Sequence, residues 1–221
     1  MQSFWDVHTH IVSNYKNSIF NVIAGKDNIP DNGFFSIGIH PWHYKESEEN
    51  SLIEIINKEA NNPRCLAIGE CGLDKFNGPP LFIQERVFIR QINIAIQQNK
   101  PLIIHCVKHY TLLKKIIDGS DFKGAIILHG FNQKLETADL FVQEKYVFSI
   151  GKSIFDDKSN SIEILKKYYP RKILFETDDS GVSIEHIYEK ASQILNVDKN
   201  KIDIEVRSKL KTIFAENKIL Q

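Results

Sequence analysis

The 221-residue chain balances 28 Lys and Arg against 28 Asp and Glu, with 42% hydrophobic and 25% charged residues, a composition that fits one large globular domain. A net charge near zero removes the global electrostatic case for a nucleic-acid coat or a membrane-surface protein and leaves only local patches. No apolar run approaches the ~18 residues of a spanning helix, and no basic start leads into an apolar stretch at the N-terminus.

Three cysteines, Cys65, Cys71 and Cys106, lack C-x-x-C spacing and sit in apolar runs, as buried thiols of a reducing compartment do. A cytoplasmic protein without a membrane partner is expected.

Phe4–Val7 leads into His8-Thr9-His10. On a strand, residues two apart share a face, so His8 and His10 project together and suit a divalent transition metal. Next come Ile19–Ala24, a turn-rich Gly25–Gly33 and the run Phe34–His40, stopped by Pro41. Ile19 follows His10 too closely for a helical crossover, which takes about a dozen residues. The segment 11–33 is therefore expected to hold no long helix, and Ile19–Ala24 to pair as an antiparallel hairpin strand.

From there, strand and helix alternate. Helical stripes fall in Ser47–Asn62, Gln84–Gln98, Tyr110–Asp118, Leu135–Glu144, Ser161–Tyr169, Ile184–Leu195 with Ser183 as N-cap, and Lys201–Glu216. Apolar runs fall in Cys65–Gly69, Pro101–Cys106, Gly124–Phe131, Tyr146–Gly151 and Lys172–Asp178, as in strands covered on both faces. This rhythm predicts parallel βα units curling into a TIM-type (β/α) barrel, shortened or irregular at its first unit, over a single domain 1–221.

His8 and His10, Glu70, His105, His129 and Asp178 each stand at or beside the C-terminal end of an apolar run. In a barrel those ends form one rim, where the chemistry is carried. Singly, His105 or His129 reads as a core histidine bonded to a carbonyl, and Asp178 as a helix cap. Together they exceed one tetrahedral ion and suit two ions sharing a bridging carboxylate. Trp42 beside this rim is placed either to stack on a base or to pack its loop. Cys71 and Cys106, each next to a ligand, alternate away from the site, and His43, His109 and His186 read as exposed or as standing behind the ligands.

The set His8-x-His10, Gly38-Ile39-His40-Pro41, Gly69-Glu70-Cys71-Gly72-Leu73-Asp74, Ile104-His105-Cys106, His129-Gly130-Phe131 and Glu176-Thr177-Asp178 resembles the TatD-like metal-dependent hydrolases, TIM barrels of the amidohydrolase superfamily. The resemblance implies two divalent ions (Mg²⁺, Zn²⁺ or Mn²⁺). His8, His10 and Asp178 would hold the first, Glu70 would bridge, and His105 and His129 would hold the second. His40 would lie near the substrate phosphate, and Asp178 would act as the catalytic base. Three features depart from the family pattern. The first helix is missing, His105-Cys106-Val107 with Lys108 replaces the frequent His-x-Arg, and Asp178-Asp179-Ser180 replaces the frequent Asp-x-Pro.

The resulting expectation is a metal-dependent deoxyribonuclease working on DNA ends, short oligonucleotides or a small anionic phosphoester. A deaminase or amide/lactone hydrolase of the same superfamily is the alternative, and a catalytically silent metal-binding scaffold the third.

Overall fold

A computed structural model describes residues 4–11 and 17–215. Strands made of unbroken apolar runs need both faces covered, which a barrel inside a ring of helices provides. Among the described residues eight strands pair in sequence order and all in parallel: β1 (Asp6–Thr9), β2 (Ser18–Ile23), β3 (Phe34–Gly38), β4 (Cys65–Asp74), β5 (Leu102–Val107), β6 (Ile126–Leu128), β7 (Tyr146–Ile150) and β8 (Ile173–Phe175). A parallel bridge from Thr9 to Asp178 brings the ends of the sheet together. It is flanked by Asp178 N–H donating to His8 O at 3.0 Å and His10 N–H to Asp178 O at 3.1 Å.

The helices, as expected in all but α4, are α1 (Glu49–Glu59), α2 (Leu81–Gln97), α3 (Tyr110–Asp118), α4 (Leu135–Ala138), α5 (Asn160–Tyr168), α6 (Ile184–Leu195) and α7 (Lys199–Ile213). Ser183 caps α6 by accepting from His186 N–H. None of the described helices is long and apolar enough to cross a membrane. The predicted end of the last helix, Glu216, lies outside the described residues.

Three expectations are corrected. β2 runs parallel to β1, with Asp6 opposite Ser18 and Thr9 opposite Phe20, rather than as an antiparallel hairpin strand. β1 is so short that the return path is only about 13 Å, and the roughly eight connecting residues can span about 26 Å without a helix. Residues 17–33 contain no helix, while 12–16 lie outside the described residues. The helix expected over Leu135–Glu144 is a single turn, α4, continued as a 3₁₀ turn over Asp139–Phe141. Leu135, Ala138 and Phe141 turn inward at a spacing of three, the period of that tighter helix. Finally, β4 does not stop at Gly69 but continues to Asp74.

Two glutamines on α2 reach through the helix layer to the barrel mouth. Buried Gln84 accepts from Asp74 N–H at 2.8 Å and donates to Asp74 O at 3.0 Å. Gln91 accepts from Ile39 N–H at 2.7 Å and donates to Ile39 O at 3.2 Å. Gln91 satisfies backbone groups just past the end of β3 and Gln84 those of the last residue of β4, and so they fix the loops beside His40 and Asp74.

Candidate metal centre

The centre is built around a bulge in β4. Ile68 pairs with Leu102 but Cys71 with Ile104, so β4 carries one extra residue there, and a bulge of this kind re-aims a side chain. Gly69 (φ 150°) and Gly72 (φ 142°) flank the bulge. A Cβ on either would run into a β5 carbonyl oxygen, that of Ile103 or of His105, so the close approach of the two strands requires glycine. Glu70 thus turns into the barrel mouth, 3% exposed. Asn21 on β2 holds it twice, accepting from Glu70 N–H at 2.9 Å and donating to Oε2 at 3.2 Å.

The two carboxylate oxygens of Glu70 face two separate groups. Oε2 lies 3.4 Å from both His8 Nε2 and His10 Nε2, and these lie 3.7 and 3.5 Å from Asp178 Oδ1. Oε1 lies 3.0 Å from His40 Nε2, 3.0 Å from His105 Nδ1 and 2.8 Å from His129 Nε2. All six residues expected to ligate metal therefore come together, and His40 joins them.

Neighbouring groups sort the imidazoles by which nitrogen is free. Asp74 Oδ2 takes His105 Nε2–H at 2.9 Å, leaving the Nδ1 lone pair aimed at Glu70 and the mouth, the arrangement carboxylates impose on metal-ligating histidines. Buried Glu176 stands 3.4 Å behind His129 Nδ1 and also accepts from Gly130 N–H at 2.6 Å. His40 is the reverse case. Its Nδ1 accepts from Trp42 N–H at 3.1 Å, so in the neutral ring Nε2 carries the hydrogen and donates toward Glu70 Oε1. His40 is a donor, while His105 Nδ1 offers a lone pair and His129 Nε2 offers one once an ion displaces its proton.

Charge follows the same division. Burial pushes Glu70 up, but the His129 charge and hydrogen bonds from His10, His105 and His129 outweigh it and hold the carboxyl well below its usual range. Burial pulls His129 down, yet Glu70 and Glu176 hold it well above an ordinary imidazole. For His40 burial wins, and the ring stays below its ordinary value and neutral. Asp74 is held low, because His105, two backbone N–H groups and Trp42 outweigh its burial.

His8 supplies the test of whether a metal fits. The ring is fully buried, and neither Nδ1 nor Nε2 finds a hydrogen-bond partner among the described residues. A buried polar atom left unpaired costs roughly 1–3 kcal/mol, whereas an Nε2 beside two carboxylate oxygens is what a divalent cation takes. Histidine with carboxylate donors suits Zn²⁺ or Mn²⁺ and admits Mg²⁺. The donor set fits.

Asn21, Asp74, Glu176 and Asp6 were not expected at the site. Asp6 Oδ2 accepts from Thr177 Oγ1–H at 2.6 Å and Oδ1 from Thr177 N–H at 3.0 Å, tying β1 to the exit of β8 beneath the histidines. Burial, only partly offset by Thr177, pushes Asp6 up to about 7. A polar residue inside an apolar run, as Asn21 is in Ile19–Ala24 and Glu176 is after Ile173–Phe175, was the available signal. Asp178 sits at φ 52°, a left-handed conformation that Asp tolerates better than most side chains, with its carboxylate 35% exposed at the mouth.

The cavity over these residues measures about 280 Å³. A larger one, about 410 Å³, opens at the opposite end of the barrel among Lys100, Lys123, Lys145 and Lys209. It gathers none of the imidazole and carboxylate groups, so size does not mark the site.

A model of the family described as TatD related DNase matches residues 5–214. The chain is 32% identical over 153 residues to the 3'-5' ssDNA/RNA exonuclease TatD of Escherichia coli, covering 64% of this chain and 55% of that protein. It is 28% identical over 185 residues to an uncharacterized metal-dependent hydrolase of Buchnera aphidicola, covering 80% of this chain and 68% of that protein. Among solved structures, the TatD homologue YJJV of Escherichia coli superposes with a TM-score of 0.79 at 19% identity, over 90% of this chain and 86% of that one. The last likeness bears on the fold alone.

Proposed function

Because the chain belongs to the TatD related DNase family, whose matched relatives include metal-dependent hydrolases, we propose that it is a two-metal phosphodiesterase acting at chain ends or on short single strands of nucleic acid. The observation that carries this reading is Glu70, whose two oxygens face His8, His10 and Asp178 on one side and His105 and His129 on the other. His8, His10 and Asp178 would hold one ion, His105 and His129 the other, with Glu70 between them. Bound divalent ions supply Lewis acidity toward a phosphoryl oxygen and acidify water at neutral pH.

The remaining steps belong to the chain's own groups. Asp178, the one carboxylate of the cluster open to the mouth, orients the attacking water, accepts its proton and returns a proton toward the leaving oxygen. His40, neutral with its one hydrogen on Nε2 beside Glu70 Oε1, stands where that hydrogen can be shared with a non-bridging phosphate oxygen, adding a preorganised donor where charge develops. Asp74 holds His105 in the tautomer its lone pair requires, and Glu176, 3.4 Å from His129 Nδ1, biases His129 the same way by charge. A relative named as a 3'-5' ssDNA/RNA exonuclease supports the choice of nucleic-acid ends, as does a neutral chain without a basic track.

The test is metal removal and return. Chelation abolishes hydrolysis of a phosphodiester panel, and one of Mg²⁺, Mn²⁺ or Zn²⁺ restores it with about two ions bound per chain. Full turnover in stripped protein overturns the mechanism. Turnover of amides or lactones in preference to phosphodiesters assigns the site to the neighbouring chemistry of the superfamily.

A further inference from the structure

The mouth of the centre carries two groups that the metal chemistry does not use. Lys26 is presented by the turn after β2. There Lys26 N–H and Asp27 N–H both donate to Ile23 O at 3.0 Å, and Asp27 Oδ2 accepts from Ile23 N–H at 2.8 Å. Gly25 takes φ 76° in this turn, and a Cβ there would drive into Leu52, so the backbone under Lys26 is fixed. Lys26 is the one Lys or Arg among the described residues lining the cavity. It forms no ion pair among the described residues, whereas Asp179 beside the same cavity pairs with Lys152 at 3.7 Å. Lys108, the cation that follows β5, does not reach the cavity.

Trp42 is the second group. Its indole Nε1–H donates to Asp74 Oδ2 at 2.8 Å, and the ring stands edge-on to His40 and His105 at 4.9 and 5.4 Å. The side chain is thus pinned, yet 47% exposed. A held aromatic ring at the lip of a charged pocket is the form of a base-stacking platform, and stacking tolerates any base. The cavity, at about 280 Å³, falls below the roughly 300–1,000 Å³ of sites that enclose a drug-sized ligand. A nucleotide with its phosphate at Glu70 must leave its base outside, at the lip.

We propose that Lys26 and Trp42 form a two-point grip on the terminal nucleotide of a single strand, the ammonium on its phosphate and the indole face under its base. This rests on the phosphodiesterase reading and goes further, in that it makes an unpaired terminal base part of what the enzyme recognises. Duplex ends, whose bases are already stacked, would bind only after fraying.

The experiment uses metal-loaded protein and fluorescently labelled single-stranded oligonucleotides with hydrolysis-resistant phosphorothioate end linkages. One form has ordinary ends and the other abasic nucleotides at both ends. Binding is read by anisotropy, with kcat and KM measured in parallel on cleavable versions. Trp42→Ala is expected to raise Kd by roughly 5- to 100-fold on ordinary ends, the scale of one lost base stack, and to change little on abasic ends. Trp42→Phe, which keeps a ring but loses the bond to Asp74, is expected to stay within about threefold of wild type in Kd. Lys26→Met is expected to raise Kd on both substrates and to reduce the salt slope by about one.

Equal losses on ordinary and abasic ends overturn the grip, as does a Trp42→Phe variant as impaired as Trp42→Ala. So does an unchanged salt slope in Lys26→Met. Failure of the fully metal-loaded wild type to cleave any phosphodiester breaks the functional reading instead, and the anisotropy results still decide the grip.

Discussion

Two glutamates, Glu70 at the barrel mouth and Glu49 at the start of α1, are both almost fully buried and both held below the usual carboxylate range. Their partners make them opposites. Glu49 Oε2 accepts from Arg86 Nε and Nη2 at 3.0 and 2.6 Å, and Oε1 from Arg90 Nη1 at 2.6 Å. These are permanent cations in a fork that matches a carboxylate, and they clamp α1 to α2. Glu70 is ringed by imidazoles, whose positive charge is optional, and one of them, His8, has no hydrogen-bond partner among the described residues. A carboxylate closed by guanidinium groups is finished as structure, while one ringed by imidazoles is completed by cations from outside.

The sharpest way to break this contrast is Glu70→Gln. Losing the shared ligand should cost more than about 10⁴-fold in turnover, beyond the usual scale for one acid–base group, and take metal content below two ions per chain. In chelator the variant should lose stability at neutral pH, because the buried His129 charge is left without its main partner. Wild-type metal content and turnover in this variant would mean that Glu70 is as structural as Glu49.

Asp178→Asn comes next, with an expected loss of roughly 10²–10⁴-fold in kcat. Circular dichroism should be unchanged, and most of the metal should be retained on the other ligands. An unfolded, metal-free variant would make Asp178 a structural ligand and move the base elsewhere.

Asp74→Asn tests the layer behind the ligands. The amide can still accept from Trp42 or from His105, but it no longer favours one tautomer by charge, and a loss of about 10- to 100-fold in metal affinity or activity is expected. Metal titration monitored by activity and by direct ion analysis measures it. Wild-type affinity in this variant would show that packing alone orients His105.

What the sequence disclosed and what it hid divide along similar lines. His8, His10, Glu70, His105, His129 and Asp178 were legible because each interrupts or ends an apolar run, and parallel strands bring such ends to one rim. Asn21 and Glu176 interrupt or follow apolar runs in the same way, but their roles, like that of Asp74, lie in facing another polar side chain across strands, a relation that no single-strand pattern encodes. The bulge at Glu70 was hidden for the same reason, since only the register against β5 reveals the extra residue. The antiparallel reading of β2 failed on a length argument that took a helix as the only way back for a parallel strand. A four-residue β1 leaves a return path of only about 13 Å, which does not need a crossover of a dozen residues.

The smallest effect is expected at Glu49, and its sign follows from the depressed carboxyl. The folded-state pKa lies below the unfolded value of about 4.3, so the clamp contributes stability that is fully present above that value. It is lost as pH falls through the folded pKa, because the unfolded chain then takes up the proton more readily. Thermal midpoints of wild type and Glu49→Gln, measured in chelator from pH 3 to pH 8, should differ at neutral pH and converge toward the acid end. The gap should be modest and shrink with added salt, because the Arg86 side chain is 44% exposed and Arg90 35%. Metal content and kcat should match wild type wherever both proteins are folded, since the clamp lies between α1 and α2, outside the barrel mouth. A gap that persists unchanged to the lowest pH would assign the effect to packing between α1 and α2, and would remove the electrostatic half of the comparison with Glu70.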